Sequence, residues 1–152
     1  MFVEVISYED ILFGRSTRPC VAMQSVGSKI YVNSAYNMKA TFVELSPFER
    51  NRRHYLDDEA FRLFQQLLLT RPDAGDVIAG TGGLRKVRFG DPRRGKGRRG
   101  GLRVIYYCWL GGAQFWLFTL YDKDEQDDLN ERQRNQLAVL LQAELKLRGI
   151  VR

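Results

Sequence analysis

The sequence predicts an α+β domain, a small antiparallel-rich sheet with two helices before a central meander and one helix after it. Two segments, 56–75 and 129–149, carry apolar residues at helical spacing. Between them, "GLRKVRF", "GLRVIYYCWL" and "QFWLFTLY" are rich in β-branched and aromatic residues and separated by glycine-containing turns, the pattern of consecutive strands. Helices flanking such a meander are expected to pack on one face of its sheet.

The elements follow in order. Residues 1–37 mix short apolar pieces with "GRSTRPC" and "SVGSK" and show no sustained period, so they read as an N-terminal extension, disordered or not native to the protein. "ATFVEL" is a short strand; "SPFERNRRHYL" follows as a helix, with Ser46 as its expected N-cap and Pro47 at the first helical position. In "LDDEAFRLFQQLLLTRPDAG", Phe61, Phe64, Leu67 and Leu68 share one helical face, acidic residues suit the N-terminal dipole, and Pro72 lies just past the end. Gly111 and Gly112 are placed to turn between the last two strands. In the final helix, Asn130 and Gln133 form a capping-box pattern, Leu137, Leu140, Leu141 and Leu145 line one side, and Gly149 can end it.

Composition bounds the function. The 152 residues, 44% of them apolar, suffice for one domain with a real core. A formal charge of +6 and a pI near 9.5 favour an anionic partner. The start, "MFVEVISYEDILFG", is broken by Glu4, Glu9 and Asp10 and lacks the form of a secretory signal; no apolar run is long enough for a membrane helix. Cys20 and Cys108 give neither a disulfide framework nor a metal-ligand spacing, which fits a reducing cytoplasm. His54, the only histidine, sits in a helix among arginines and is expected in a surface or half-buried structural role, and with no second histidine a histidine pair for RNA cleavage is ruled out. The acids of "DKDEQDDLNE" read as charge balance at a helix N-terminus and have no metal-ligand pattern. No cofactor is implied.

Charge is concentrated in residues 80–107, which hold nine of the 24 lysines and arginines and one acid, Asp91. Period-two alternation puts Lys86 and Arg88 on one face of their strand, about 7 Å apart. That is close to the spacing of successive phosphates on a nucleic-acid strand, and Arg103 on the next strand can join them. "GDPRRGKGRRGG" is too glycine-rich for regular structure, so Arg93, Arg94, Lys96, Arg98 and Arg99, with Arg85 before them, are expected to contact RNA from a mobile loop. Tyr106, Tyr107, Trp109, Phe115, Trp116 and Phe118 are expected in the core, with Tyr106 or Tyr107 able to face the cations. "GTGGLRK" lacks phosphate-loop spacing and precedes a strand, which excludes a P-loop.

Three stretches in order, "GDVIAGTGGLRKVRFG", "GKGRRGGLRVIYY" and "TLYDKDEQDDLN", carry a likeness to a known family. From about Met38 to Gly149 the chain resembles the RelE/ParE toxin superfamily, most closely the HigB-type toxins of bacterial toxin-antitoxin pairs. The resemblance implies a toxin domain over residues 38–152 with a RelE-like fold, with Met38 as the expected biological start. It implies a ribosome-dependent mRNA endonuclease that inhibits translation, silenced by a HigA-like antitoxin. Cleavage would proceed by attack of the ribose 2′-hydroxyl on the adjacent phosphate, with basic side chains in place of histidines. On the matching positions, the resemblance implies Lys86 as general base or activator of the 2′-hydroxyl, Arg88 as stabiliser of the phosphorane and Arg103 as a further hold on the scissile phosphate. Lys123, in "YDKDE", is a candidate for leaving-group protonation or RNA contact, although its flanking aspartates depart from the family pattern. The alternatives are a ParE-like gyrase inhibitor and a non-catalytic nucleic-acid-binding module.

Overall fold

The computed structural model describes residues 39–90, 95, 97 and 101–150, together with the backbone of residues 2–7. Strand β2 (Lys39–Glu44) leads into helix α1 (Ser46–Tyr55) and helix α2 (Asp58–Thr70). A short strand β3 (Asp76–Val77) precedes β4 (Arg85–Phe89), β5 (Leu102–Trp109) and β6 (Gln114–Asp122), and helix α3 (Glu131–Leu147) completes the order. Five strands thus fall within residues 39–122, and β1 (Phe2–Ser7) adds an edge strand, giving the order β1-β2-β6-β5-β4-β3. The architecture is the expected α+β one, with β4, β5 and β6 as an antiparallel meander.

Three features differ from the expectation. The sheet is mixed, because β2 runs parallel to β6, a pairing that joins residues about seventy positions apart and leaves no local mark in the sequence. Residues 2–7, read as part of an extension without structure, pair antiparallel with β2. The helices cover both faces of the sheet instead of one. Phe48 of α1 and Phe61, Phe64 and Leu68 of α2 pack on Phe42, Val104, Tyr106 and Phe115, whereas Leu141 and Leu145 of α3 pack on Ile105, Tyr107, Trp116 and Phe118. The physical reason is in β5 and β6, which are apolar on both faces and so need covering on both.

Local signals decide the helix ends. Pro47 lies in the first turn of α1 as expected, but the N-cap is Leu45, without a side-chain hydrogen bond, and Ser46 is already helical. Asp57 caps α2 by accepting from the Ala60 N–H at 2.8 Å. The Asn130–Gln133 capping box of α3 forms in full. Gly111 and Gly112 turn the chain through a 3-10 turn, Leu110–Gly112, followed by Ala113 in the left-handed region at φ 48°. No helix among the described residues is long and apolar enough to cross a membrane.

One irregularity positions the site. Up to Ile105 the strands β5 and β6 pair as Leu102 with Asp122, Arg103 with Tyr121 and Ile105 with Thr119; from Tyr106 the register shifts, with Leu117 opposite Tyr106. Phe118 is the extra residue of a β-bulge, and beyond it β6 exchanges its faces. Phe115 and Leu117 belong to the α1–α2 side, yet Leu120 joins them, while Tyr121 turns to the α3 side with Trp116 and Phe118.

Candidate nucleic-acid interface

On β4, Val87 is buried on the α1–α2 side, and Leu84 just before the strand is buried on the α3 side, so alternation sends Lys86 and Arg88 toward α3. Arg103 pairs directly with Arg88 across β4–β5 and with Tyr121 across β5–β6. Arg88, Arg103 and Tyr121 therefore form one row across three strands, with Lys86 two residues along from Arg88. Side chains of directly opposed residues start roughly 5 Å apart, and like charges so placed destabilise a sheet. Arg103 relieves part of this by bending back: its Nη1 donates to the Gly101 carbonyl at 3.2 Å, and the residue is only 5% exposed. Arg88 is exposed.

Lys86 does not stand alone. Its Nζ donates to Asp128 Oδ1 at 2.7 Å, an ion pair across 42 positions of sequence, with the lysine side chain 23% and the aspartate 63% exposed. The hydrogen bond from Lys86 is the largest of the effects that hold the Asp128 carboxyl below its ordinary range, helped by the Leu129 N–H. That N–H donates to the same Oδ1 at 2.7 Å. The loop carrying Asp128 is fastened to α3: Gln126 and Gln133 exchange amide hydrogen bonds at 2.9 and 3.2 Å, and Gln126 Nε2 also donates to the Asp128 carbonyl at 2.9 Å. Among the described residues no group of three or more acids, histidines or cysteines is arranged to hold a metal ion.

Tyr121, beside this pair, is the functional candidate that sequence reading missed. It is 8% exposed, and its hydroxyl is fully buried with no hydrogen-bond partner. Burial first, then the charges of Asp128 and Asp127, with Arg103 opposing, push the phenol up to about 12. A buried hydroxyl without a partner costs about 1–3 kcal/mol, so its persistence calls for a cause. Simple alternation along "FWLFTLYD" would put Tyr121 with Phe115 and Leu117 on the opposite face; only the bulge brings it to Arg103.

The remaining predicted residues divide. Lys123 is exposed and pairs at 3.9 Å with Asp127, at the margin of the same acidic loop. Arg85 is on the other face of β4, where Nη2 donates to the Asp73 and Gly75 carbonyls at 2.6 and 3.2 Å, so it does not join Lys86 and Arg88. Arg93, Arg94, Lys96, Arg98 and Arg99 lie outside the described residues. Tyr106 and Tyr107 are both buried, Tyr106 beside Arg85 on the α1–α2 side and Tyr107 on the α3 side. His54 is exposed on α1. Two further cations are nearby: the charge of Arg134 acts on Asp128, and Arg71 lines a cleft of about 300 Å³ beside β4 with Leu67, Gly75, Lys86 and Arg88. Neither has a spacing that would single it out in the sequence.

The sheet thus gathers three cations on one face of β4–β5, with Arg88 exposed, Lys86 paired with Asp128 and Arg103 buried beside the Tyr121 row. A search against models of known protein families finds none that matches the chain.

Proposed function

We propose that the protein is a ribosome-dependent mRNA endonuclease, the toxin of a type II toxin-antitoxin pair. The observation that supports this reading best is the convergence of Lys86, Arg88 and Arg103 on one face of β4–β5, the arrangement a transferring phosphoryl group needs. The residue pattern from Met38 to Gly149 and the basic segment 93–99 agree with it. In the proposed reaction the 2′-oxygen attacks phosphorus, the bond to the 5′-oxygen breaks, and the 2′-proton is lost while the 5′-oxygen gains one. Lys86 as the free amine would take up the 2′-proton, Arg88 and Arg103 would balance the charge of the phosphorane, and the Lys123 ammonium would give its proton to the leaving 5′-oxygen. A HigA-like antitoxin would silence it by covering this face.

The test is mRNA cleavage by the purified protein with and without translating ribosomes. Cleavage only with ribosomes is expected, and Lys86→Ala should reduce it at least roughly a hundredfold while ribosome binding persists. Inhibition of DNA gyrase without mRNA cleavage would identify the ParE-like alternative, and RNA binding without cleavage a non-catalytic module.

A further inference from the structure

The ion pair between Lys86 and Asp128 has a second meaning once the unsatisfied Tyr121 hydroxyl is set beside it. A carboxylate and a phosphate present the same kind of acceptor to an ammonium group, and both can sit within hydrogen-bond distance of it. Asp128 is held on a loop tied to α3 through the Gln126–Gln133 amide pair, so its position is built. The buried Tyr121 hydroxyl, on the same face of the sheet and within electrostatic reach of Asp128, belongs to a residue more than nine-tenths buried and is the group that a bound oxyanion would satisfy and that nothing in the free protein does.

We propose that Asp128 is an internal stand-in for the RNA phosphate: in the free protein its carboxylate occupies Lys86, and a phosphodiester binds by displacing it and accepting a hydrogen bond from the Tyr121 hydroxyl. The exchange is chemically even, since Lys86 keeps one anionic acceptor throughout and Tyr121 gains one. Asp128 can leave because its side chain is mostly exposed, at the cost of its second bond, the one from the N–H of the buried Leu129. Binding through this exchange costs affinity in the free protein and keeps the cations paired until a competing phosphate arrives. The inference rests on the phosphate-binding part of the proposed function, not on cleavage.

Asp128→Asn separates the charge from the fold, because the amide oxygen still accepts from Leu129 and only the bond to Lys86 is weakened. Binding of a short single-stranded RNA oligonucleotide, followed by fluorescence anisotropy at low salt, is the readout. Asp128→Asn is expected to tighten binding roughly two- to fivefold, the scale of one partly exposed ion pair. Glu131→Gln, the same change of charge three residues further on, should have less than half that effect on a logarithmic scale. In a Lys86→Met background the gain from Asp128→Asn should vanish, and Tyr121→Phe should weaken binding in both the wild-type and the Asp128→Asn protein. Unchanged or weaker binding by Asp128→Asn overturns the proposal, as does an equal gain from Glu131→Gln or a gain that survives Lys86→Met. Absence of RNA binding by every variant overturns both this proposal and the nuclease reading. Tighter, Lys86-dependent binding without ribosome-dependent cleavage leaves the exchange standing and defeats the nuclease alone.

Discussion

Replacing Tyr121 with phenylalanine should make the free protein more stable, an unusual sign for deleting a polar atom from an interior. The ring keeps its place in the buried cluster on the α3 side of the sheet, and the only group removed is a hydroxyl that is buried and has no partner. Burying such a group costs about 1–3 kcal/mol, and replacing it by hydrogen recovers part of that. A gain of about 1 kcal/mol is expected, which for a chain of this size raises Tm by about 2–4 °C. Tyr106→Phe is the internal comparison. Its hydroxyl is also buried but donates to the carbonyls of Ala74 at 2.6 Å and Pro72 at 3.0 Å, so the same deletion should cost about 1 kcal/mol. Urea unfolding with unchanged m-values would measure both. The sign for Tyr121 is also visible in pH. Its phenol titrates near 12 in the folded protein, against about 10 unfolded, so the folded state holds the proton longer. The associated stabilisation is complete below about pH 10 and lost as pH rises toward 12. Tyr121→Phe should flatten that part of the profile. A loss of stability comparable to that of Tyr106→Phe would refute the reasoning, since it would mean that the hydroxyl is satisfied.

Two further substitutions test what holds the site in place. Gly75 has φ +80°, and a Cβ there would lie 2.2 Å from the Lys86 carbonyl oxygen and 2.7 Å from Val87 Cα. Gly75→Ala should therefore cost at least about 2 kcal/mol by urea denaturation and disturb β4 at Lys86, and wild-type stability would contradict the close approach. Arg52→Met should expose the cost of the buried Glu44. Arg52 Nε bonds Glu44 Oε2 at 3.0 Å, and burial already pushes the Glu44 carboxyl up while Arg52 opposes it. A loss of about 2–3 kcal/mol at pH 7 is expected. Without Arg52 the folded state takes up a proton at a higher pH than the unfolded chain does, so the loss should shrink as pH falls from 7 to 5. Parallel pH profiles for the two proteins would count against it.

The parts of this fold that could be read in the sequence are those whose cause is local. The apolar face of α2, the Asn130–Gln133 capping box and the meander from Arg85 to Asp122 each depend on residues close in the chain. The parallel pairing of β2 with β6 depends on where two distant segments meet, and no period records that. Helices on both faces were signalled by the unbroken apolar character of "VIYYCWL" and "FWLFTLY", which outweighs the assumption that a small meander buries one face. At the site, period two placed Lys86 with Arg88 and separated both from Val87, as the structure has them. The same rule misplaces Tyr121, because one extra residue at Phe118 reverses the parity of everything after it. Asp128 escaped for a different reason: its role as helix-start charge balance was sufficient, and nothing near it in sequence points to Lys86.

The distribution of unfavourable features across the sheet bears on which face meets a ligand. On the α1–α2 side the polar groups of the central strands are largely satisfied internally, with the Tyr106 hydroxyl donating to the 72–74 turn. Arg85 keeps one unpaired nitrogen, Nε, but Nη2 is committed to two backbone carbonyls. On the α3 side, within one row of three strands, two arginines stand directly opposite each other and a buried hydroxyl has no partner. The adjacent lysine is satisfied only by a mostly exposed carboxylate from a loop. The opposed arginines and the unpartnered hydroxyl each cost stability. The bulge at Phe118 concentrates them, because without it Leu120 would stand opposite Arg103 and the hydroxyl would be absent. A single oxyanion relieves both, by separating the arginine charges and accepting from Tyr121, while it takes the place of Asp128 on Lys86. A structural account would have to explain each separately.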